Sequence, residues 1–175
     1  MNTPVVVVDY DPQWSILYKK EKAEILRVIG DKVVAIEHIG STAVPGLGAK
    51  PIIDIMTAVR HLSDADQCIQ PLESIGYEYL PEPETQIPEW RYFRKGPQKA
   101  HRHLHMVELT SDFWRRVLLF RDYLRSHSRI AREYYDLKKQ LATERGLDRK
   151  DYTDAKTAFI RSIIARAQTH STPKS

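Results

Sequence analysis

Cysteine is almost missing from this chain: Cys68 is the only one, so no intrachain disulfide can form and no CxxC pair exists to build a zinc ribbon. No apolar run reaches the roughly 18–20 residues that a bilayer-spanning helix needs. Two phosphate-binding signatures are also lacking. There is no GxxxxGK[ST] and no GxGxxG, which removes the P-loop and Rossmann readings. The first residues show no charged segment followed by an apolar stretch and a small-residue cleavage site, so the expected location is the cytoplasm, without a membrane partner. Internal repeats and low-complexity tracts are absent too.

What remains is an ordinary globular composition, 42% hydrophobic and 29% charged over 175 residues, enough for one core. Charge is unevenly spread. Residues 1–110 carry 12 Lys and Arg against 15 Asp and Glu, whereas residues 111–175 carry 15 against 8. The basic third could attract nucleotides or RNA, or it could be a set of solvated helix faces; basic and acidic residues interleave there, which favours the second. No RNA-recognition signature accompanies the charge, so nucleic acid is not an expected partner.

Val5 to Val8 read as a first strand, closed by Asp9-Tyr10-Asp11-Pro12. Trp14, Leu17, Tyr18, Ile25, Leu26 and Ile29 then fall near one helical face, with Gly30 as the stop. Val33 to Ile39 and Pro51 to Val59 read as strands, the latter mostly apolar and so expected inside its sheet. Residues 63–75 predict one helix capped by Ser63, and Tyr77 to Leu80 a short strand. Arg91 to Arg94 and Arg102 to Leu109 predict a hairpin around Gly96-Pro97. From Ser111 the pattern is helical to about Ala167, with breaks near His127-Ser128 and Gly146-Leu147-Asp148. The fold class expected is α/β (α+β): a mixed sheet with a C-terminal helical part. Residues 1–168 are expected to form one domain, with the sheet in 1–110, helices in 111–168 and a frayed tail over 169–175.

The most informative stretch is EHIGSTAVPGLGAKPIIDI, Glu37 to Ile55. A strand ends at Gly40-Ser41. Glycine admits a close ligand, and the Ser41 and Thr42 hydroxyls with nearby N–H groups suit phosphate oxygens. Lys50 adds a cation. Asp54 sits among Ile52, Ile53 and Ile55, where an unpaired carboxylate is costly to bury. The bland alternative is a tight turn with an Asp bonded to backbone. His101, His103 and His105 alternate, so a strand would put them on one face. His103 and His105 with Asp54 could hold a divalent metal, and imidazole suits zinc, manganese or iron better than magnesium. They could equally bond backbone or phosphate. Arg91, Arg94, Lys95 and Lys99, with Tyr92 and Phe93 between, could grip an anion and stack on a base, or protect an edge strand. Arg121 and Arg125 are one turn apart and are expected to pair with Asp122 or nearby acids.

The His38–Ile55 stretch resembles the signature of the GrpB-like family, whose members also occur fused to dephospho-CoA kinase. HLHMVE at His103 to Glu108, FWRRVLLFRDYLR at Phe113 to Arg125, and Tyr134 to Lys138 within AREYYDLKKQLA agree with it, so the likeness covers roughly residues 5–167. It implies a nucleotidyltransferase-type sheet. Enzymes of that fold place Gly-Ser at a strand end and then Asp-x-Asp or Asp-x-Glu to hold Mg²⁺ and nucleotide phosphates. Gly40-Ser41 and Asp54 match, but the position two beyond Asp54 is Met56. Several hard oxygen ligands are needed for two-metal phosphoryl transfer, and Met56 supplies none.

Three functions follow as expectations. The first is a protein that binds a nucleotide or another phosphate-bearing ligand, with Mg, Mn or Zn as candidate metals, and retains metal-dependent transferase or phosphohydrolase chemistry carried by Asp54 and His105. Gly40, Ser41, Thr42, Lys50 and Arg91 would contact ligand, and Asp54, His103 and His105 the metal. The second is a non-catalytic binding or stabilising module linked to coenzyme A or nucleotide metabolism. The third and weakest is RNA binding through the basic C-terminal helices.

Overall fold

A computed structural model describes residues 6–81, 90–96, 101–143 and 149–170. The first helix, α1 (Gln13–Ile29), starts where the Asp11 carboxylate accepts the Gln13 N–H at 2.8 Å and buries Trp14, Ile25 and Ile29. Five strands form one sheet: β1 (Ala35–Ile39), β2 (Ile53–Val59), β3 (Glu78–Leu80), β4 (Trp90–Lys95) and β5 (Arg102–Glu108), in the order β1-β2-β5-β4-β3. β2 and β5 run parallel and the other pairs antiparallel, so the sheet is mixed. The apolar β2 lies inside the sheet, between β1 and β5, as its composition predicts.

Alternation along the strands gives each face its own core. On one side Ile36, Ile53, Ile55, Phe93, Leu104 and Met106 pack with α1 and with two short helices, α2 (Leu62–Asp66) and α3 (Ile69–Glu73). On the other side Ile39, Met56, Ala58 and Val107 pack with Trp114 of α4 (Asp112–Ser126), which Ser111 caps through the Trp114 N–H. A third cluster joins Val44 and Leu47 of the β1–β2 loop to Leu124, to Ile130 and Tyr134 of α5 (Ser128–Thr143), and to Ile163 of α6 (Arg149–His170). The helical third therefore clasps the loop after β1.

Three expectations are corrected. Val6 to Val8 form no strand: only Val8 bridges to Ala49, by paired N–H···O bonds of 2.9 Å, because β-branched residues without a partner strand have nothing to pair with. Val5 lies outside the described residues. The helix expected over 63–75 is two helices, and its cap is His61, with Asp64 closing the capping box. Pro71 explains the interruption: it has no N–H for the Gln67 carbonyl, and its ring crowds that carbonyl. At the other end α6 runs through His170, three residues past the expected stop, so Thr169 is helical. The break expected near Gly146-Leu147-Asp148, Lys99 and residues 171–175 lie outside the described residues. No described helix is long and apolar enough to cross a membrane.

Candidate functional site

The site grows from the register of three strands. Ile39 lies opposite Asp54, and Asp54 lies beside His103, so the C-terminal end of β1, the start of β2 and the start of β5 meet. Parity puts Asp54, His103 and His105 on one face, with Tyr92 opposite His105 and Arg94 opposite His103. His103 Nδ1 is 3.2 Å from Asp54 Oδ1, and His105 Nε2 is 4.0 Å from the same oxygen. The Asp54 side chain keeps 28% exposure, so the carboxylate can reach a ligand.

Gly40 makes this approach possible. Its φ is 72°, and a Cβ there would stand 2.7 Å from Asp54 Oδ2. Gly40→Ala is therefore expected to cost roughly 1–3 kcal/mol in strain, read as a lower urea midpoint, and to displace the Asp54 carboxylate. An unchanged midpoint would show that the turn is not constrained.

Past Gly40 the chain makes one 3-10 turn, Ser41–Ala43, held from several sides. The Thr42 hydroxyl donates to the Ile52 carbonyl at 3.0 Å, so the 3.0 Å contact between Thr42 Oγ1 and His38 Nε2 requires the imidazole to donate. Burial pulls the His38 pKa down to about 4, in keeping with a neutral ring stacked on Tyr18 at 4.6 Å. Thr42 is buried and serves the turn. Arg121 donates to the His38 carbonyl at 3.0 Å, and one helical turn later Arg125 donates to the Ala43 carbonyl at 2.8 and 3.0 Å. Two arginines of α4 thus hold the carbonyls flanking Gly40-Ser41. Arg121 pairs with Asp122 as expected, and also with Glu37 at 2.6 Å.

The cation set against Ser41 comes from α5. Lys138 is 4% exposed; its Nζ donates to Ser41 Oγ at 3.0 Å and to the Gly48 carbonyl at 2.6 Å, and lies 4.9 Å from the Tyr134 ring centroid. Burial, with a smaller contribution from Lys156, pulls its pKa down to about 7. Among the described residues no carboxylate pairs with Lys138, so an anion beside Ser41 would favour its charged form.

The other expected residues fall as follows. Lys50 is half-buried between the bridge at Ala49 and β2. Arg91 is on the opposite face of the sheet, opposite Met106, with its Nε 2.7 Å from Asp66 of α2. His101 precedes β5, its ring 6.2 Å from that of His103. His105 packs between Trp90 and Tyr92 at 4.9 and 5.1 Å, and burial pulls its pKa down to about 4, so its ring is neutral. Among the described residues, neither its Nδ1 nor the neighbouring Trp90 Nε1, both buried, has a hydrogen-bond partner. The roles of Lys138 against Ser41 and of Glu37 against Arg121 are not foreseen in the sequence. Lys138 follows Tyr134 by four residues and precedes Leu141 by three, on the apolar stripe of α5; a lysine in such a stripe is the signal that could have found it.

Enzymes of the nucleotidyltransferase fold hold Mg²⁺, and the donor set here fits that ion poorly. Asp54 is one carboxylate, Met56 offers a buried thioether, and the nearest imidazole sits at hydrogen-bond distance from Asp54. Among the described residues no group of three His, Cys, Asp or Glu side chains is arranged to hold a metal ion.

A family model described as GrpB protein matches residues 4–166. The UPF0157 protein YqkA of Bacillus subtilis is 39% identical over 94% of this chain, which spans 47% of that relative's length. A crystal structure of conserved protein GrpB from Enterococcus faecalis is 37% identical, with a TM-score of 0.84 over 94% of this chain and 98% of that one. A dephospho-CoA kinase of Mycolicibacterium paratuberculosis is 27% identical over 94% of this chain and 46% of its own length. The Cid1 poly(U) polymerase, 14% identical with a TM-score of 0.52 over 78% of this chain and 44% of that one, shares the fold.

Proposed function

The chain belongs to the GrpB family, with a nucleotidyltransferase-like fold, and from that premise we propose that it binds a nucleotide or another phosphate-bearing small molecule at the Gly40-Ser41 turn. One observation carries this reading: the desolvated Lys138 amino group donates to Ser41 Oγ beside the strand starts that bear Asp54 and His103. A phosphate there would meet the Ser41 hydroxyl and supply a counter-charge that no described carboxylate gives Lys138. Asp54 would orient His103, whose ring could then donate to a phosphate oxygen or take a proton from a bound hydroxyl. The family's kinship with a dephospho-CoA kinase makes coenzyme A precursors reasonable ligands beside nucleotides.

The test is a thermal-shift screen of nucleoside triphosphates and dephospho-CoA, with and without Mg²⁺ or Mn²⁺. A ligand at a hundred times its dissociation constant adds about 2.7 kcal/mol, or roughly 5–10 °C for a chain of this size. Ser41→Ala and Asp54→Asn should lose the shift while the unliganded melting temperature stays within a few degrees. A screen with no shift, or one that both variants retain, removes the proposal.

Met56 favours a second reading at the same place, binding without nucleotidyl transfer. Transfer in Mg²⁺ at about 1 per second or faster, abolished by Asp54→Ala, would overturn it.

A further inference from the structure

On the far side of the same loop lies a cleft of about 400 Å³ between Asp9-Tyr10, the Pro45–Gly48 segment and the junction of α4 with α5. That volume is within the range of small-molecule pockets. Pro45 contributes exposed apolar surface, Tyr10 and Tyr135 contribute rings, and the nearly buried Leu47, Leu124 and Ala131 close the cleft behind them. Tyr135 is fixed by its hydroxyl, which donates to the Asp9 carboxylate, and by Gly48, where a Cβ would stand 2.2 Å from the Tyr135 ring. Gly46 has a φ of 77° and open space where a Cβ would be, leaving its backbone bare.

Two guanidinium groups line the cleft, Arg125 and Arg132. Arg125 is anchored by the Ala43 carbonyl, with Asp122 3.6 Å away. Arg132 differs: among the described residues no carboxylate pairs with it, although Arg115, Arg116, Arg121 and Arg129 each have one within ion-pair distance. Ser128, the first residue of the 16-residue α5, also lines the cleft, so the positive end of that helix adds to the field. The one acid in the lining, Asp9, already accepts from Tyr135.

We infer that this cleft is a second ligand site, separate from the Asp54 site, for a small organic anion that carries a phosphate or carboxylate on a flat apolar body. Arg132 pairs with the anionic group in the fork geometry that carboxylate and phosphate accept, Arg125 and the α5 N-terminus add to the field, and the body lies on Pro45 and the two tyrosines. The unpaired Arg132, placed in a cleft with an apolar floor and aromatic walls, distinguishes this surface from the other basic helix faces.

Phenyl phosphate and benzoate are the probes, with inorganic phosphate and benzyl alcohol as controls, followed by amide chemical shifts of the labelled chain. Saturable shifts at Gly46, Gly48 and Ser128, with Gly40 and Asp54 unmoved, support the site. Arg132→Gln should weaken the aryl anions about tenfold, and the exposed position of Arg132 leaves the fold intact, checked by the melting temperature. Inorganic phosphate and benzyl alcohol should each bind at least tenfold more weakly than phenyl phosphate. Shifts confined to Gly40 and Asp54, equal affinity for the controls, or an Arg132→Gln variant that binds like the wild type would each overturn the inference. The inference rests on Gly46, Gly48, Ser128 and Arg132 and can fail while the Asp54 site stands, since that site's own ligand response is measured separately with Ser41→Ala.

Discussion

Lys138→Met should give a protein at least as stable as the wild type at pH 7 and less stable at pH 10, so that the two stability curves cross. Burial lowers the Lys138 pKa from 10.5 to about 7 in the folded chain. Between those values the folded protein holds a neutral amine while the unfolded chain holds an ammonium, so unfolding takes up a proton. Stability then rises with pH by up to about 1.4 kcal/mol per unit, on the order of 4 kcal/mol across the window. Below pH 7 both states are charged and the whole cost of burying the ammonium is present. Methionine removes that cost at every pH, but it leaves the Ser41 hydroxyl and the Gly48 carbonyl without their donor, a loss of about 1–3 kcal/mol. The first effect is larger at pH 7 and the second at pH 10. Urea unfolding of both proteins from pH 6 to 10 gives the difference. Burial raises Tyr18 to about 12, so it stays neutral in the folded chain, and the tyrosines common to both proteins cancel in the difference. Parallel curves would mean that Lys138 titrates as a hydrated lysine. The same linkage has a functional side: an anion beside Ser41 would restore the ammonium, so binding near pH 8 should take up a proton.

Much of the site was legible because strand parity and turn chemistry are local. Asp54 in an apolar run, Gly40-Ser41 at a strand end and the His103–His105 alternation each follow from neighbours in sequence, and the sheet brings them together. Long-range packing was not legible. Arg91 looked like a ligand contact, but whether it shares a face with His105 depends on the β4–β5 register, which sets Tyr92 opposite His105. Lys138 is 97 residues from Ser41, and only the docking of α5 on the loop makes them neighbours. The two short helices were a local miss, since Pro71 was visible throughout. The bland reading of the basic third fits much of α4 and α5, where Arg115, Arg116, Arg121 and Arg129 lie beside acids.

Arg121→Ala should cost about 2–3 kcal/mol and also weaken ligand binding at the Gly40-Ser41 turn. The side chain is 8% exposed and serves three acceptors: Nη1 reaches Glu37 at 2.6 Å and the His38 carbonyl at 3.0 Å, while Nε reaches Asp122 at 2.8 Å. Removing one member of a buried ion pair costs about 3–5 kcal/mol when the other charge is left dry. Glu37 is 40% exposed, so water takes back part of its charge and the estimate falls to the lower end. The His38 carbonyl has no such relief, because His38 is buried. Arg121→Lys should recover little, since one ammonium cannot span acceptors that the planar fork reaches from two edges. A double-mutant cycle with Glu37→Gln should give a coupling of about 1 kcal/mol or more, because the two side chains touch. The effect on binding follows from position. Arg121 and Arg125 hold the carbonyls on either side of Gly40-Ser41, and without Arg121 the end of β1 beside Asp54 loses one of the two α4 arginines that hold it. A urea midpoint within about 0.5 kcal/mol of wild type, or an unchanged ligand response in a folded Arg121→Ala protein, would show that α4 covers the sheet without positioning the turn.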